Sequence, residues 1–128
     1  MQKLKLTNGT FIANVQEIND YQDRDTLNQD FRKVINITIS NTDFETIRNT
    51  FSNPENLMSI EIYNLVDEEY IPVGLQNNFT ILNRISSNLQ AGTFTVQLHQ
   101  KSMLEQQLEE TQLAIAELGV FLGGIYNG

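Results

Sequence analysis

The chain has 128 residues, enough for one domain of ordinary size, and 40% of them are hydrophobic. Its net charge is −8, and the six Lys and Arg that precede residue 50 are interleaved with Asp, so no basic stripe indicates a nucleic-acid binder. The absence of Cys excludes disulfides, thiolate metal sites and a Cys nucleophile. We expect neither a secretory signal nor membrane insertion, since no run of apolar residues is long enough.

The chain opens with two segments that alternate apolar and polar residues. Leu4 and Leu6 alternate with lysines, and a second alternating segment covers residues 11–18. Between them lies Asn8-Gly9, a dipeptide that tolerates the positive φ angles of a tight turn. These features predict a β-hairpin.

Residues 19–32 show no clean period and are rich in Asp, Asn and Gln. This composition predicts a long exposed connection, with room for a helical turn around residues 26–31. The spacing of Asp20, Asp23 and Asp25 invites a calcium interpretation, but the Gly and distal Glu of an EF-hand loop are missing. We therefore favour a solvated loop.

A strand and a short helix follow. Residues 33–40 have alternating isoleucines and predict a strand. Residues 42–45, Thr-Asp-Phe-Glu, form a capping box that predicts a helix over residues 43–51. Phe44, Ile47 and Phe51 recur at helical spacing, so we expect all three to pack against the sheet, and Asn53-Pro54 ends the helix.

The next part of the chain returns to strand patterns. Residues 57–64 predict a strand, 67–69 an exposed acidic turn, 70–73 an edge segment because of its proline, and 79–85 with 94–98 a second hairpin. The adjacent carboxylates of the turn have no apolar enclosure that would separate their pKa values, so a solvated turn is preferred to acid–base chemistry.

Residues 101–125 carry the strongest pattern in the chain. Apolar or near-apolar residues recur in alternating steps of four and three, which is a heptad repeat. The seam consists of Leu104, Leu108, Thr111, Ile115, Leu118, Leu122 and Ile125. Ser102 and Glu105 form a second capping box at its start, while Gly119 and Gly123-Gly124 are alternative ends.

A lone helix of about three heptads is only marginally stable in water. Its narrow seam is therefore covered either by the chain's own sheet or by other copies of the chain, which would form a coiled coil. The flanking positions Gln107, Gln112, Ala114 and Gly119 are uncharged, so parallel copies would meet no like-charge clash there. The pattern permits a dimer and a trimer.

The residues define no catalytic centre. His99 is the only His, and its place on the polar side of a strand predicts a surface side chain. No phosphate-binding, dinucleotide-binding or nucleophile-elbow motif is present, so we expect no enzymatic activity, no cofactor and no metal site. Tyr63, Tyr70, Asn77 and Asn78 could line a sugar-binding surface, although such residues are equally common on ordinary sheets.

The order of these pieces resembles that of small accessory structural proteins from the tail and baseplate regions of tailed bacteriophages and prophages of Gram-positive bacteria. The matching stretches are residues 6–10, the strand 35–39 running into 44–47, residues 51–57, and the terminal leucine heptads. The resemblance implies a role in the virion or its assembly, within a symmetric tail complex made in the host cytoplasm. It also implies homomeric or heteromeric protein partners.

The sequence therefore predicts an α+β fold: a mainly antiparallel β domain over residues 1–100 with one short packed helix, and a C-terminal heptad-repeat helix over residues 101–128. The predicted function is that of a non-enzymatic phage structural protein that oligomerises, as a dimer or trimer, or docks on other tail proteins through this helix. The alternative is a ligand-binding module for cell-surface carbohydrate that uses residues 19–32 and 63–78.

Overall fold

The computed structural model describes residues 2–25, 27 and 30–127, with only the backbone for residues 25 and 117–127. The described elements are strands β1 (Gln2–Lys5), β2 (Phe11–Asp25) and β3 (Asp30–Ser40), helix α1 (Phe44–Phe51), a 3₁₀ helix (Pro54–Leu57), strands β4 (Ser59–Val66), β5 (Glu69–Asn77), β6 (Ile81–Asn88) and β7 (Thr93–His99), and helix α2 (Met103–Asn127). The predicted α+β class, mainly antiparallel β with helices, is confirmed.

The seven strands form one antiparallel sheet in the order β5-β4-β1-β2-β3-β7-β6. In a flat sheet, six gaps of roughly 4.8 Å would separate β5 and β6 by about 29 Å. Only residues 78–80 join these two edge strands, and such a link spans at most roughly 14 Å. The sheet must therefore curl until its two edges approach each other.

Hydrogen bonds hold the two edges near this link. The amide of Asn78 donates to the Met58 carbonyl at 2.9 Å, and the Gln100 side chain, just past β7, donates to the Asn77 carbonyl at 2.7 Å. Phe79, in the middle of the link, is only 2% exposed. Its ring anchors the crossing in the core.

The concave face of the curled sheet holds the core. Its buried strand residues include Leu4, Val15, Ile35, Ile37, Ile39, Ile60, Val96 and Leu98, and α1 adds Ile47 and Phe51. In β3 and β7, the alternation that placed apolar residues on one face of the predicted strand thus meets in one cluster, as a period of two requires.

The opening hairpin is confirmed. β1 and β2 pair antiparallel, and Gly9 lies in the turn with a φ of +87°. A glycine reaches that conformation without steric cost. The Asn8 side chain supports the turn by accepting from the Thr10 amide.

The predicted long connection at residues 19–32 is wrong. β2 extends to Asp25 and β3 starts at Asp30, so most of this polar stretch forms a two-stranded ribbon. The sequence of residues 19–25 shows no clear alternation of apolar and polar residues, because residues 19–24 of β2 are exposed on both faces. The strand conformation of this part is stabilised by pairing with β3. Of the helical turn expected around residues 26–31, positions 26, 28 and 29 lie outside the described residues, and Asp30 and Phe31 are strand.

Helix α1 is confirmed, with two corrections. Its cap is Asp43, one residue after the expected Thr42, because the Asp43 carboxylate accepts from the Thr46 amide at 2.8 Å. Ile47 and Phe51 are buried, whereas Phe44 is 50% exposed and does not pack as predicted. Phe44 occupies the first turn, at the margin of the buried stripe.

The strands of the second half agree with the sequence patterns, with shifted bounds. Residues 54–57, partly assigned to a strand, form the 3₁₀ helix, and its Leu57 is buried in the core. The proline-containing segment is the edge strand β5, longer than expected, and β6 and β7 form the predicted second hairpin. Helix α2 passes through Gly119, Gly123 and Gly124, so both predicted ends are wrong.

We expect Phe79→Ala to lower the free energy of unfolding by about 3–5 kcal/mol, because it removes a buried ring and leaves a cavity at the crossing. Phe44→Ala, which truncates the same residue type at a half-exposed site, should cost less than about 1 kcal/mol. Urea denaturation followed by circular dichroism measures both. Equal losses would contradict the anchoring role of Phe79.

Candidate interaction site at the C-terminal helix

Helix α2 is capped by groups from two parts of the chain. The Ser102 hydroxyl oxygen accepts from the Glu105 amide at 3.2 Å, as the capping box predicts. The Asp30 carboxylate, on β3, accepts from the Leu104 amide at 3.1 Å and is also hydrogen-bonded to the Ser102 side chain. These bonds satisfy amide groups that the helix itself leaves without partners.

This arrangement lowers the pKa of Asp30. Desolvation raises its pKa, but the hydrogen bonds from Leu104, Ser102 and Phe31 and the positive charge of Arg32 outweigh that effect, so the pKa lies below the usual 3.8. The ionised carboxylate therefore stabilises the start of α2.

Further contacts tie the root of α2 to the sheet. Arg32 forms an ion pair with Glu105 at 3.0 Å, so Glu105 turns to β3 and does not complete the capping box with Ser102. The Gln100 amide donates to the Lys33 carbonyl at 3.0 Å, and the Gln106 side chain donates to the Lys101 carbonyl at 2.7 Å. The direction in which α2 leaves the sheet is fixed by these bonds.

A cleft of about 550 Å³ lies beside this root. Its walls include Met58, Ile81 and, from the helix, Gln106 and Glu109. Lys101, which precedes the helix, forms an ion pair with Glu109, about two turns further along the chain. The side of α2 that carries Glu105, Gln106 and Glu109 thus faces the domain.

The predicted seam lies on a different side of the helix. At about 100° per residue, Leu104, Leu108 and Ile115 are centred roughly 130° around the axis from the side that faces the domain. Their exposed fractions are 49%, 57% and 65%, and Thr111 is exposed as well. The side chains of the other predicted interface residues, Leu118 and Leu122, lie outside the described part.

His99 corrects another prediction. It is only 9% exposed, although the sequence placed it on the surface, because it pairs with Val34 and Ile81 on the neighbouring strands. Burial and the charge of Arg32 lower its pKa below 6.5, while Asp23 opposes this shift. This burial depends on the register of β3, β6 and β7. Pairing between the strands decides that register, so the local sequence pattern around His99 could not predict it.

The remaining candidates are not brought together into a site. Among the described residues, no group of three or more His, Asp or Glu could hold a metal ion. Tyr63 and Tyr70 share the outer face of the sheet, but Asn77 lies at the opposite end of β5, opposite Ser59, and Asn78 lines the cleft beside α2. Within the part of the chain that the structure describes, no helix is sufficiently long and apolar to cross a membrane.

A scan against protein-family models, a search of curated proteins and a search of solved structures found no match for this chain. Its function is therefore inferred from its residues and their geometry.

The amide proton shift of Leu104 should titrate with Asp30, with a midpoint below pH 3.8. A carboxyl group whose pKa is lower in the folded state than in the unfolded state stabilises the fold at any pH above its unfolded pKa. This stability is lost as the pH falls through the folded pKa. Asp30→Asn should abolish the titration, whereas Asp20→Asn, at an exposed site on β2, should preserve it. A midpoint above 3.8 in NMR spectra would contradict the capping role.

The chain should lose stability as the pH falls from about 6.5 towards the folded pKa of His99, because the unfolded chain then binds the proton more readily. His99 is the only His, so His99→Gln should remove this part of the pH dependence. Denaturation at pH 7.5 and at pH 5.5 measures it. The same pH dependence in both proteins would refute the assignment.

Proposed function

We propose that this protein is a non-enzymatic structural or assembly component of a phage tail, and that it oligomerises or docks on a neighbouring tail protein through α2. The proposal rests on one observation above all: the described apolar side chains of α2 are exposed, on a helix held firmly at its root. Leu104, Leu108 and Ile115 are each about half exposed or more. The resemblance to phage tail proteins supplies the biological context.

Physical chemistry favours a partner for this helix. Large apolar side chains exposed along one stripe are typical of a protein interface. An isolated helix of this length is marginal in water, and the described residues of the domain shelter only its first turns. Covering the stripe with a second helix would bury these apolar side chains and would also stabilise the helix.

The direction of the stripe favours an intermolecular partner. The seam points away from the side held by Arg32 and by the cleft, so folding it back onto the same chain would break the root contacts. A second copy could approach from the open side without disturbing them. A coiled coil through Leu104, Leu108, Thr111, Ile115, Leu118 and Leu122, as dimer or trimer, is the arrangement that we propose.

The alternative function, a module for cell-surface carbohydrate, draws on the exposed ring of Tyr70 and the partly buried ring of Tyr63. Two observations count against it. The ammonium group of Lys3 lies over the ring of Tyr70, and the Tyr63 hydroxyl is engaged by Glu61 at 2.6 Å. Neither ring presents the free face and free hydroxyl that sugar binding uses. A glycan array that shows selective binding would revive this alternative.

Leu108→Asp should weaken association through the seam of α2 by at least about 100-fold, because it removes an apolar contact and places a carboxylate in the seam of every copy. Leu113→Asp is the matched control: it makes the same change on the same helix, at a residue that is 62% exposed and lies roughly 140° around the axis. Sedimentation equilibrium of the full-length proteins measures the association constants.

Equal masses for wild type, Leu108→Asp and Leu113→Asp would count against the proposed seam. If the wild type is monomeric at every concentration, the helix has a heterologous partner or none, and self-association is refuted.

A further inference from the structure

The outer face of the sheet carries a cluster that the fold does not use. The Lys3 ammonium nitrogen lies 4.2 Å from the ring centre of Phe11 and 4.5 Å from that of Tyr70, and that of Lys5 lies 5.7 Å from the ring centre of Phe11. The ring of Tyr63 is 6.3 Å from that of Phe11. We call these five residues the outer patch. Cation–π contacts hold its two ammonium groups in place at the surface.

Apolar residues continue from the outer patch along the β4–β5 hairpin. Leu65, Val66, Ile71, Val73 and Leu75 are each between 42% and 54% exposed, on both faces of the hairpin. β5 is also an edge strand of the sheet, and no described strand pairs with its outer side. An edge strand with exposed apolar residues is a surface that proteins normally cover or protect with charge.

The charges of this region are arranged in two opposite groups. Among the described residues, neither Lys3 nor Lys5 forms an ion pair. Three exposed carboxylates lie at the end of the hairpin, those of Asp67 and Glu68 in its turn and that of Glu69 at the start of β5. We call these three residues the acidic turn, and none of them forms an ion pair with a described residue. The one carboxylate beside the lysines, Glu61, accepts from the Tyr63 hydroxyl. The cationic groups thus lie on β1 and the anionic groups at the end of the neighbouring β4–β5 hairpin, and the described residues form no ion pair between them.

We propose that this surface binds a second copy of the chain around a two-fold axis, with the acidic turn of each copy on the outer patch of the other. A two-fold interface is self-complementary, so one surface that carries both a donor group and its acceptor group suits it. The exposed apolar residues of the two hairpins would be buried between the paired charges. This interface involves no residue of α2 and is independent of the proposed seam.

The patch composition favours a protein over a sugar. Aromatic residues are enriched at protein interfaces, and the ring faces of Phe11 and Tyr70 are already occupied by lysine. The net charge of −8 opposes association of two copies only weakly at physiological salt, because repulsion between charges more than about 8 Å apart is largely screened. Charges that meet in the interface are closer than that and are screened less.

Two complementary charge reversals test the contact. Lys3→Glu/Lys5→Glu makes patch and turn both acidic, and Glu68→Lys/Glu69→Lys makes both basic. Each variant alone should self-associate at least about tenfold more weakly than the wild type, because like charges then face each other twice. An equimolar mixture should recover a one-to-one dimer, since both contacts again pair opposite charges.

The experiment is carried out on the full-length chain that also carries Leu108→Asp, so that the seam of α2 contributes nothing. Lys33→Glu/Arg48→Glu is the matched control for Lys3→Glu/Lys5→Glu, because it makes the same change in net charge at exposed sites on β3 and α1 and should leave association unchanged. Thermal melting verifies that every variant is folded. Sedimentation velocity gives the masses.

Several results would overturn this inference. A mixture that stays monomeric, or a loss of association equal to that of the control, would exclude the two-fold contact. A Leu108→Asp chain that is monomeric at all concentrations would also exclude the two-fold contact, and it would not count against the proposed association through the seam of α2. Selective glycan binding that Lys3→Glu/Lys5→Glu removes from a monomeric chain would assign the outer patch to a sugar.

Discussion

The short link of residues 78–80 is the constraint on which the rest of the structure depends. It joins the two edge strands of a seven-stranded sheet, so the sheet must curl, and the curl creates the concave face that holds the core. Phe79 fixes the crossing from inside, while Asn78 and Gln100 fix it with hydrogen bonds. Without this closure, the isoleucines of β3 would face a shallow surface that a single short helix is too small to cover.

The same closure positions α2. Gln100 binds the end of β5 and also the Lys33 carbonyl, so the last residues before the helix belong to the closing contacts. Asp30 and Arg32 on β3 then cap and pair the first turn. The helix consequently leaves the sheet at a defined angle, with Leu104 and Leu108 turned outward. A rigid root combined with an exposed stripe is well suited to assembly, because a partner need not order the helix before binding it.

Two surfaces of different chemistry remain exposed on this framework. The stripe of α2 is apolar and would associate by burial alone, whereas the outer patch and the acidic turn combine apolar area with opposite charges. The first suits a helical partner and the second a two-fold contact. A component with two independent contacts can extend an assembly beyond a single closed oligomer, which is consistent with the proposed role in a tail.

The sequence by itself determined the elements that local chemistry controls: the Asn8-Gly9 turn, the helix after residue 42, the alternating strands and the Ser102 cap. It also picked out Leu104, Leu108 and Ile115, which the structure leaves exposed. The tertiary structure alone decided what depends on partners distant in the chain. Residues 19–25 are polar but form a strand because they pair with β3, and His99 is buried because of the register of its strand. Phe44 is half exposed because it lies at the margin of the contact between α1 and the core. The fold also brings Lys3 close to Phe11 and Tyr70. Local patterns record the preferences of neighbouring residues, whereas curvature and register arise from contacts between strands that no local pattern encodes.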